Sequence, residues 1–379
     1  MKKIIFGLSF LFCGLAFVSF RSHEFKLGDE LSLDSLRKLY SGPSHLWPSA
    51  NVDKNLKWEE LGPLQPSPVN LKNDSIRKVV ELGKTLFFDP RLSGSNQISC
   101  SSCHAPDLNW SDGRQVSIGH DHQPNKRNAP SLENVWYFKK LFWDGRANSL
   151  EEQAQMPLEA HNEMNQDVKN LARKMSKIKG YRPLFNDAFG TPTITNQRIF
   201  ESLATFQRTI VSRKTPFDRF IEGEIKALTD QQVVGLHLFR TKARCINCHN
   251  GPYFTDNDFH NLGLTYYGRK YEDLGLYNIT KNPEDVGKFK TPGLRNVMKT
   301  APWFHNGLFD DMDGILNMYN MGMPMQVVKP GQEKDPLLPK NDKLLRGIRL
   351  SNSEKQALIS FLDALSSSSY VVREVALPK

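Results

Sequence analysis

Two short cysteine and histidine motifs are the part of this chain whose spacing most directly implies chemistry. In each, two residues separate two cysteines, and a histidine follows the second cysteine at once. The residues are Cys100, Cys103 and His104 in the first motif and Cys245, Cys248 and His249 in the second. Thiols at this spacing can form thioether bonds to the vinyl groups of a haem, and the adjoining histidine can then bind the iron. A lone cysteine pair would equally fit half of a zinc site or a redox-active dithiol. The histidine and the duplication favour two covalently bound c-type haems.

The amino terminus predicts export from the cytoplasm. An apolar run over residues 4–20 follows two lysines, which is the pattern of a secretory signal, and we assign residues 1–21 to it. The fifth cysteine, Cys13, lies in this run. Lipidation at Cys13 fits poorly because Phe12 stands where a small residue is expected. An uncleaved anchor is an alternative, since the run is near the lower length limit for a membrane span. We expect a periplasmic protein.

The charge of the chain does not identify a partner. The formal net charge is +9, but part of it belongs to the predicted signal, and the carboxylates of two haems would offset more. No block of lysine and arginine and no basic helix suggests a nucleic-acid partner.

The pattern of apolar residues predicts two helical units after an N-terminal extension. Residues 22–71 are rich in proline, serine, asparagine and lysine, and we interpret them as an extension that packs on a domain surface. Helices are predicted over 74–88 before the first motif, within 195–213 after it, and over 353–365 at the end of the second unit.

Two helix starts carry the spacing of a capping box, Ser149 with Glu152 and Thr229 with Gln232. Each unit thus has the order helix, haem motif, long loops, helix. The sequence predicts a mainly α fold with two cytochrome c-like domains, 72–225 and 226–379.

Six further motifs, in matching order, resemble those of the bacterial di-haem cytochrome c peroxidase and MauG superfamily over residues 72–366. They are the runs that start at Leu86 (LFFDPRLS), Lys126 (KRNAPS), Phe142 (FWDGRA), Glu152 (EQA, with Glu163 and Met164 beyond it), Lys290 (KTPGLRNV) and Thr300 (TAPWFH).

The resemblance implies roles at the first haem, which is the peroxidatic one in this family. Glu163 would move protons during peroxide cleavage and Gln153 would hold the peroxide by hydrogen bonding. Trp143 would relay electrons between the haems. His120 would be a removable ligand of the first iron in the resting enzyme, although an exposed loop histidine is the plain alternative.

At the second haem the two branches of the family differ in the residue that binds the iron. Tyr319 stands where the peroxidases carry an axial methionine and MauG-type members carry a tyrosine, and Met318 and Met321 flank it. A tyrosine oxygen lowers the reduction potential of a haem iron, whereas a thioether raises it. We expect Tyr319 to be the ligand, with Met321 or Met318 as the alternatives.

The resemblance also implies a calcium ion between the haems, held by Asn128 and by the carbonyls of Thr300 and Pro302. The role of His305, in the motif that starts at Thr300, stays open. We interpret the remaining histidines as surface or packing residues: His23, His45, His161, His237 and His260.

The leading hypothesis is a di-haem peroxidase that reduces hydrogen peroxide to water with electrons from a small cytochrome c or cupredoxin. The first alternative is a MauG-type enzyme that oxidises side chains of another protein. The second is a plain di-haem electron carrier, against which Glu163 and Gln153 argue. A homodimer is possible, and nothing in the sequence decides it.

Overall fold

The computed structural model describes residues 32–369, 372 and 375–379. The predicted signal, including Cys13, and His23 lie outside the described residues. Helices, with the short 3₁₀ turns included, account for 38% of the structure, and strands with isolated β-bridges for 4%, which confirms the mainly α prediction. Among the described residues, no helix is both long enough and apolar enough to cross a membrane.

Eleven α-helices are found in the described residues. The helices are α1 (Leu33–Tyr40), α2 (Asp74–Phe87), α3 (Leu150–Glu159), α4 (Val168–Ser176), α5 (Tyr181–Phe189), α6 (Asn196–Gln207), α7 (Pro216–Ile221), α8 (Asp230–Arg240), α9 (Tyr277–Thr280), α10 (Met312–Asn320) and α11 (Asn352–Asp363). Two short strands, β1 (Phe259–His260) and β2 (Phe289–Lys290), pair antiparallel. The predicted helices after residues 74, 195 and 353 correspond to α2, α6 and α11.

The first hydrophobic core is built where α2 crosses α6. Leu82, Leu86 and Phe206 are buried there, and α3, α4 and α5 complete the cluster. Gly83 lies at the crossing, where an added Cβ atom would overlap the carbonyl of Ser202. The two helix backbones can therefore approach this closely only because residue 83 has no side chain.

The second core repeats this arrangement where α8 crosses α11. Gly235 lies at the crossing, and a Cβ atom there would overlap the carbonyl of Ala357. Phe239 and Phe361 are buried beside it with their ring centroids 5.4 Å apart. Residues of α7 also belong to this second core.

The N-terminal extension packs on the second core. Tyr40 and Trp47 are buried there, and Arg240 of α8 is only 2% exposed. The Arg240 guanidinium pairs with the Glu60 carboxylate and lies 5.1 Å from the Trp47 ring centroid. The extension thus supplies both the counter-charge and the aromatic cover for a buried arginine. The domain boundaries given by the sequence stay predictions.

The two predicted capping boxes have different outcomes. Thr229 and Gln232 form the reciprocal pair at the start of α8. At α3 the Ser149 hydroxyl accepts from the backbone N–H of Glu152, but the Glu152 carboxylate accepts from the backbone N–H of Asn148 instead. That prediction was therefore only half right, because the neighbouring N–H group is within reach of the same carboxylate.

Candidate active site

Both cysteine and histidine motifs open on one cavity between the two cores. Its volume is about 1340 Å³, and Cys100, Cys103, His104, Cys245, Cys248 and His249 all line it. Pockets for ordinary small ligands measure roughly 300–1,000 Å³. The cavity therefore has room for ligands larger than a typical single substrate.

The two motif histidines are held in the same way. The Nδ1 atom of His104 lies 3.0 Å from the carbonyl oxygen of Trp110, and Nδ1 of His249 lies 2.9 Å from that of Phe254. A hydrogen bond donated from Nδ1 fixes the tautomer whose Nε2 lone pair is free for a metal. Burial also lowers the pKa of both imidazoles, which favours the neutral form that can coordinate iron.

The cysteines lie on short 3₁₀ turns, Cys100–Ser102 and Cys245–Asn247. Burial raises the pKa of the Cys100 and Cys245 thiols to about 12, so neither is a thiolate at neutral pH. Zinc binding requires thiolates, whereas a thioether sulfur is neutral. An apolar environment of this kind suits the uncharged sulfur of a thioether, as in covalently bound haem.

Lys290 on β2 provides a second test of whether a haem fits. Its Nζ atom lies 3.5 Å from the ring centroid of Phe138, and the residue lines the cavity. Burial lowers the pKa of Lys290 to about 7, and no carboxylate among the described residues pairs with it. A buried ammonium group without a counter-charge is unfavourable. The propionate groups of a haem would supply that charge.

Glu163 and Gln153 line the cavity in the first half of the molecule. Burial raises the pKa of the Glu163 carboxyl group, and the charge of Arg146 partly opposes this. The same carboxyl group contributes to the raised pKa of the Cys103 thiol, which places it near the first motif. Gly119 packs against the backbone of Glu163 from the neighbouring loop.

His120 lies beside this site but is not among the residues that line the cavity. Its backbone N–H donates to the Glu163 carbonyl at 2.8 Å, and its ring centroid is 5.7 Å from that of His161. The His120 Nδ1 atom is buried without a hydrogen-bond partner among the described residues. The structure therefore does not bring this residue to the cavity with the others, and a role as iron ligand stays a prediction.

Tyr319 lines the cavity in the second half. It lies at the end of α10, whose first turn is capped by the Asp311 carboxylate. Burial raises the pKa of the Tyr319 phenol, and the nearby thiols of Cys248 and Cys245 raise it further. The phenol is thus close to the second motif.

The methionines named as alternatives do not share this position. Met321 is 83% exposed, and Met318 is not among the residues that line the cavity. Met312, at the other end of α10, does line it. Of the three residues that the sequence proposed as ligand, the geometry favours Tyr319.

Trp143 connects the two halves. Its indole Nε1–H donates to the carbonyl of Asn128 at 3.0 Å, and its own carbonyl accepts from the backbone N–H of Lys290 at 2.8 Å. Its ring centroid lies 6.5 Å from that of His305. The bond to Asn128 therefore orients the indole, and the bond from Lys290 holds the Trp143 main chain.

The three residues of the predicted calcium site line the same cavity. The Asn128 amide group donates from Nδ2 to the carbonyl of Arg114 at 2.9 Å, which leaves its oxygen Oδ1 available. Thr300 and Pro302 can offer main-chain carbonyl oxygens. Amide and carbonyl oxygens are ligands that Ca²⁺ accepts, so the residues present fit this ion.

His260 is a site residue that the sequence analysis missed. Its two ring nitrogens lie 2.9 Å from Asp256 and 2.6 Å from Asp342, and it lines the cavity near Cys248. Burial opposes protonation, but the two carboxylates raise the pKa of His260 to about 12. Ligand atoms of Cys248, Asp256 and His260 lie within 4.8 Å of one another, but a sulfur bonded to haem is no longer available as a thiolate ligand. The four-residue spacing between Asp256 and His260 could have indicated their contact from the sequence. The contact with Asp342, 82 residues further on, could not be predicted in this way.

Comparison with known proteins agrees with this arrangement. Residues 77–226 match the family described as di-haem cytochrome c peroxidase. The chain is 37% identical over 337 residues to cytochrome-c peroxidase IdrP1 of Pseudomonas sp. (strain SCT), a match that covers 81% of this chain and 86% of that protein. The chain belongs to the di-haem cytochrome c peroxidase and MauG family. Membership implies two c-type haems.

Relatives of both kinds occur within this family. The methylamine utilization protein MauG of Methylophilus methylotrophus is 36% identical over 337 residues, covering 87% of this chain and 94% of that protein. Among solved structures, a MauG-like protein associated with microbial copper homeostasis superposes with a TM-score of 0.70 at 29% identity, covering 83% of this chain and 95% of that one. Family membership therefore does not distinguish a peroxidase from a MauG-type enzyme.

Proposed function

We propose that this protein is a periplasmic di-haem peroxidase that reduces hydrogen peroxide to water with electrons from a small redox protein. The observation that carries the proposal is the half-buried Glu163 carboxyl group, which lines the cavity near the first haem motif together with Gln153. A protein that only carried electrons would need no proton-transferring group at this place.

The overall reaction combines one peroxide with two electrons and two protons to give two water molecules. A bound haem supplies the iron through which electrons reach the peroxide. Glu163 takes the proton from the nearer peroxide oxygen and returns it to the departing one. A carboxyl group whose pKa burial raises above its usual value suits a role in which it must both accept and donate a proton. The Gln153 amide holds the peroxide by hydrogen bonding.

Electrons reach the first half from the second. In this proposal Tyr319 would hold the second iron, and Trp143, which lies between the two halves, would relay electrons between them. Asn128, Thr300 and Pro302 would hold a calcium ion. Asn128 would then contribute to both sites, since its main-chain carbonyl accepts from Nε1 of Trp143. His120 is kept as a candidate resting ligand that would have to move into the cavity.

The test is peroxide-dependent oxidation of a reduced cytochrome c or cupredoxin by the purified holoprotein. Glu163→Gln should lower kcat by about 100-fold to 10,000-fold, the usual contribution of general acid–base catalysis. Glu133→Gln is the matched control, because Glu133 lines the same cavity and burial raises its carboxyl pKa too, and its kcat should stay within a few-fold of wild type. Equal turnover in wild type and Glu163→Gln would contradict the proposal.

A MauG-type activity is the second candidate, and Tyr319 is the observation that favours it. Such an enzyme would hold two oxidising equivalents long enough to oxidise side chains of another protein. Peroxide should then convert the fully oxidised holoprotein to a long-lived oxidised state without prior reduction, and Tyr319→Met should abolish it. Rapid-scan absorption spectroscopy measures this state directly. Its absence from wild type would remove this candidate.

A further inference from the structure

An unusual group of exposed apolar side chains follows α10 directly. Met321 is 83% exposed, Met325 79%, Val327 76% and Val328 47%. We call these four residues the 321–328 patch. Single exposed apolar residues are ordinary on protein surfaces, but four within eight residues concentrate exposed apolar surface on one segment, as binding surfaces do.

The patch lies on the outer side of the wall around the second haem motif. Tyr319, which lines the cavity, is only two residues before Met321. A Cβ atom added at Gly322 would lie 3.1 Å from the backbone nitrogen of Gly347, and the adjacent Arg346 also lines the cavity. The patch therefore lies directly behind residues that line the cavity, Tyr319 and Arg346.

A second contact supports the same placement. Gly263 packs closely against the carbonyl of Pro324, inside the patch segment, and the same carbonyl accepts from the Asn341 side chain at 2.8 Å. Leu262 and Leu264, on either side of Gly263, line the cavity. Two separate stretches of cavity wall thus support the patch from behind.

The surroundings of the patch are basic. Between residues 321 and 350 the exposed charged side chains are those of Lys329, Lys334, Glu333, Lys340, Lys343, Arg346 and Arg349. Arg346 pairs with Asp53 and Lys340 with Glu284, and the other four cations make no ion pair among the described residues. An acidic rim on a partner would complement this surface.

We propose that the 321–328 patch is the docking surface for a small electron-carrying protein whose apolar contact face is surrounded by acidic side chains. This inference rests on the proposed function and names the partner class of its second half. Apolar contacts over a small area with complementary charge at the rim suit short-lived complexes, and electron-transfer encounters bury less than about 1,200 Å² in total. Docking here would place the donor next to the wall that Tyr319 lines.

Direct binding tests this without depending on turnover. The probe is reduced, ¹⁵N-labelled plastocyanin, an acidic cupredoxin, titrated with the holoprotein and followed by NMR. The double variant Met325→Glu/Val327→Glu should weaken binding by about tenfold or more, because it removes apolar contact and adds repulsion. Leu46→Glu/Leu71→Glu adds the same charge at residues 56% and 49% exposed elsewhere, and should bind like wild type.

Charge is tested separately. Lys329→Glu/Lys334→Glu should weaken binding at low salt, and the difference from wild type should shrink as added salt screens the rim. The basic mitochondrial cytochrome c should bind more weakly than plastocyanin.

Several results would overturn the proposal. These are no plastocyanin binding by wild type, equal binding by Met325→Glu/Val327→Glu, or tighter binding of the basic cytochrome. A wild-type dimer in sedimentation that the patch variant dissociates would assign the surface to a second copy of the chain instead. Peroxide turnover with a small-molecule reductant reports on the proposed function alone, and the patch variant should retain it.

Discussion

The two halves of the molecule hold their cysteine and histidine motifs alike but surround them with different chemistry. In both, a helix pair crosses at a glycine, Gly83 or Gly235, and the motif histidine donates Nδ1–H to a backbone carbonyl a few residues on. The first half then places a carboxyl group and an amide at the cavity, whereas the second places Tyr319 there. The scaffold therefore attaches the cofactor, and a few loop residues decide what each iron can bind.

Substitution of the glycine at each helix crossing tests whether the two halves share this scaffold. Gly83→Ala and Gly235→Ala should each lower the free energy of unfolding by about 3 kcal/mol, since the added Cβ atom would overlap a backbone carbonyl of the partner helix. Hydrogen exchange with mass spectrometry should show loosening of α2 and α6 in the first variant and of α8 and α11 in the second. Equal loosening of both halves in either variant would contradict two separate cores.

The halves differ in how they satisfy a buried charge. In the first half Asp89 is paired with Arg91 and Tyr181 of the same core, whereas Arg240 in the second half depends on Glu60 of the extension. Glu60→Gln should cost about 2–3 kcal/mol of unfolding free energy, at or below the low end for breaking a buried pair because Glu60 is partly exposed.

Hydrogen exchange with mass spectrometry should show faster amide exchange in α8 of Glu60→Gln, while exchange in α2 stays as in wild type. The exposed pair of Lys214 and Glu222 offers a control, and Glu222→Gln should change little. An equal increase in amide exchange in both halves of Glu60→Gln would mean that the extension does not belong to the second core.

The junction between the halves should respond to pH through Glu133, whose carboxylate accepts from Asn296 of the second half. Burial raises the pKa of Glu133 from 4.5 to about 7, and Asn296 and Lys299 oppose this. A carboxyl whose folded pKa is raised contributes stability that is complete below its unfolded pKa and is lost as pH rises through about 7.

The unfolding free energy of wild type should fall by roughly 3 kcal/mol between about pH 4.5 and 7, and Glu133→Gln should remove most of this fall. Urea unfolding of wild type and variant across this range measures it. A parallel pH dependence in the two proteins would show that Glu133 does not titrate as its burial implies.

Much of the fold and part of the site could be predicted from the sequence because the signals are local. The two motifs, the helices near residues 74, 195 and 353, and the Thr229 cap all depend on spacing along the chain. The resemblance to the family supplied Glu163, Gln153, Trp143 and Tyr319, and the structure brings these four to one cavity.

The contacts that escaped the sequence join residues far apart in the chain. His260 meets Asp342 across 82 positions, and Arg240 meets Glu60 across 180. No periodicity marks such pairs. His120 shows the opposite case, because its spacing suggested a ligand while the structure keeps its side chain off the cavity wall.

Cyanide titration of the fully oxidised holoprotein distinguishes the two irons, since cyanide binds ferric haem only where the sixth position is open or readily vacated. We expect wild type to bind one equivalent of cyanide and Tyr319→Ala to bind two, with the affinity for the first equivalent unchanged. Binding of two equivalents by wild type, or of none, would contradict an open first iron paired with a closed second one.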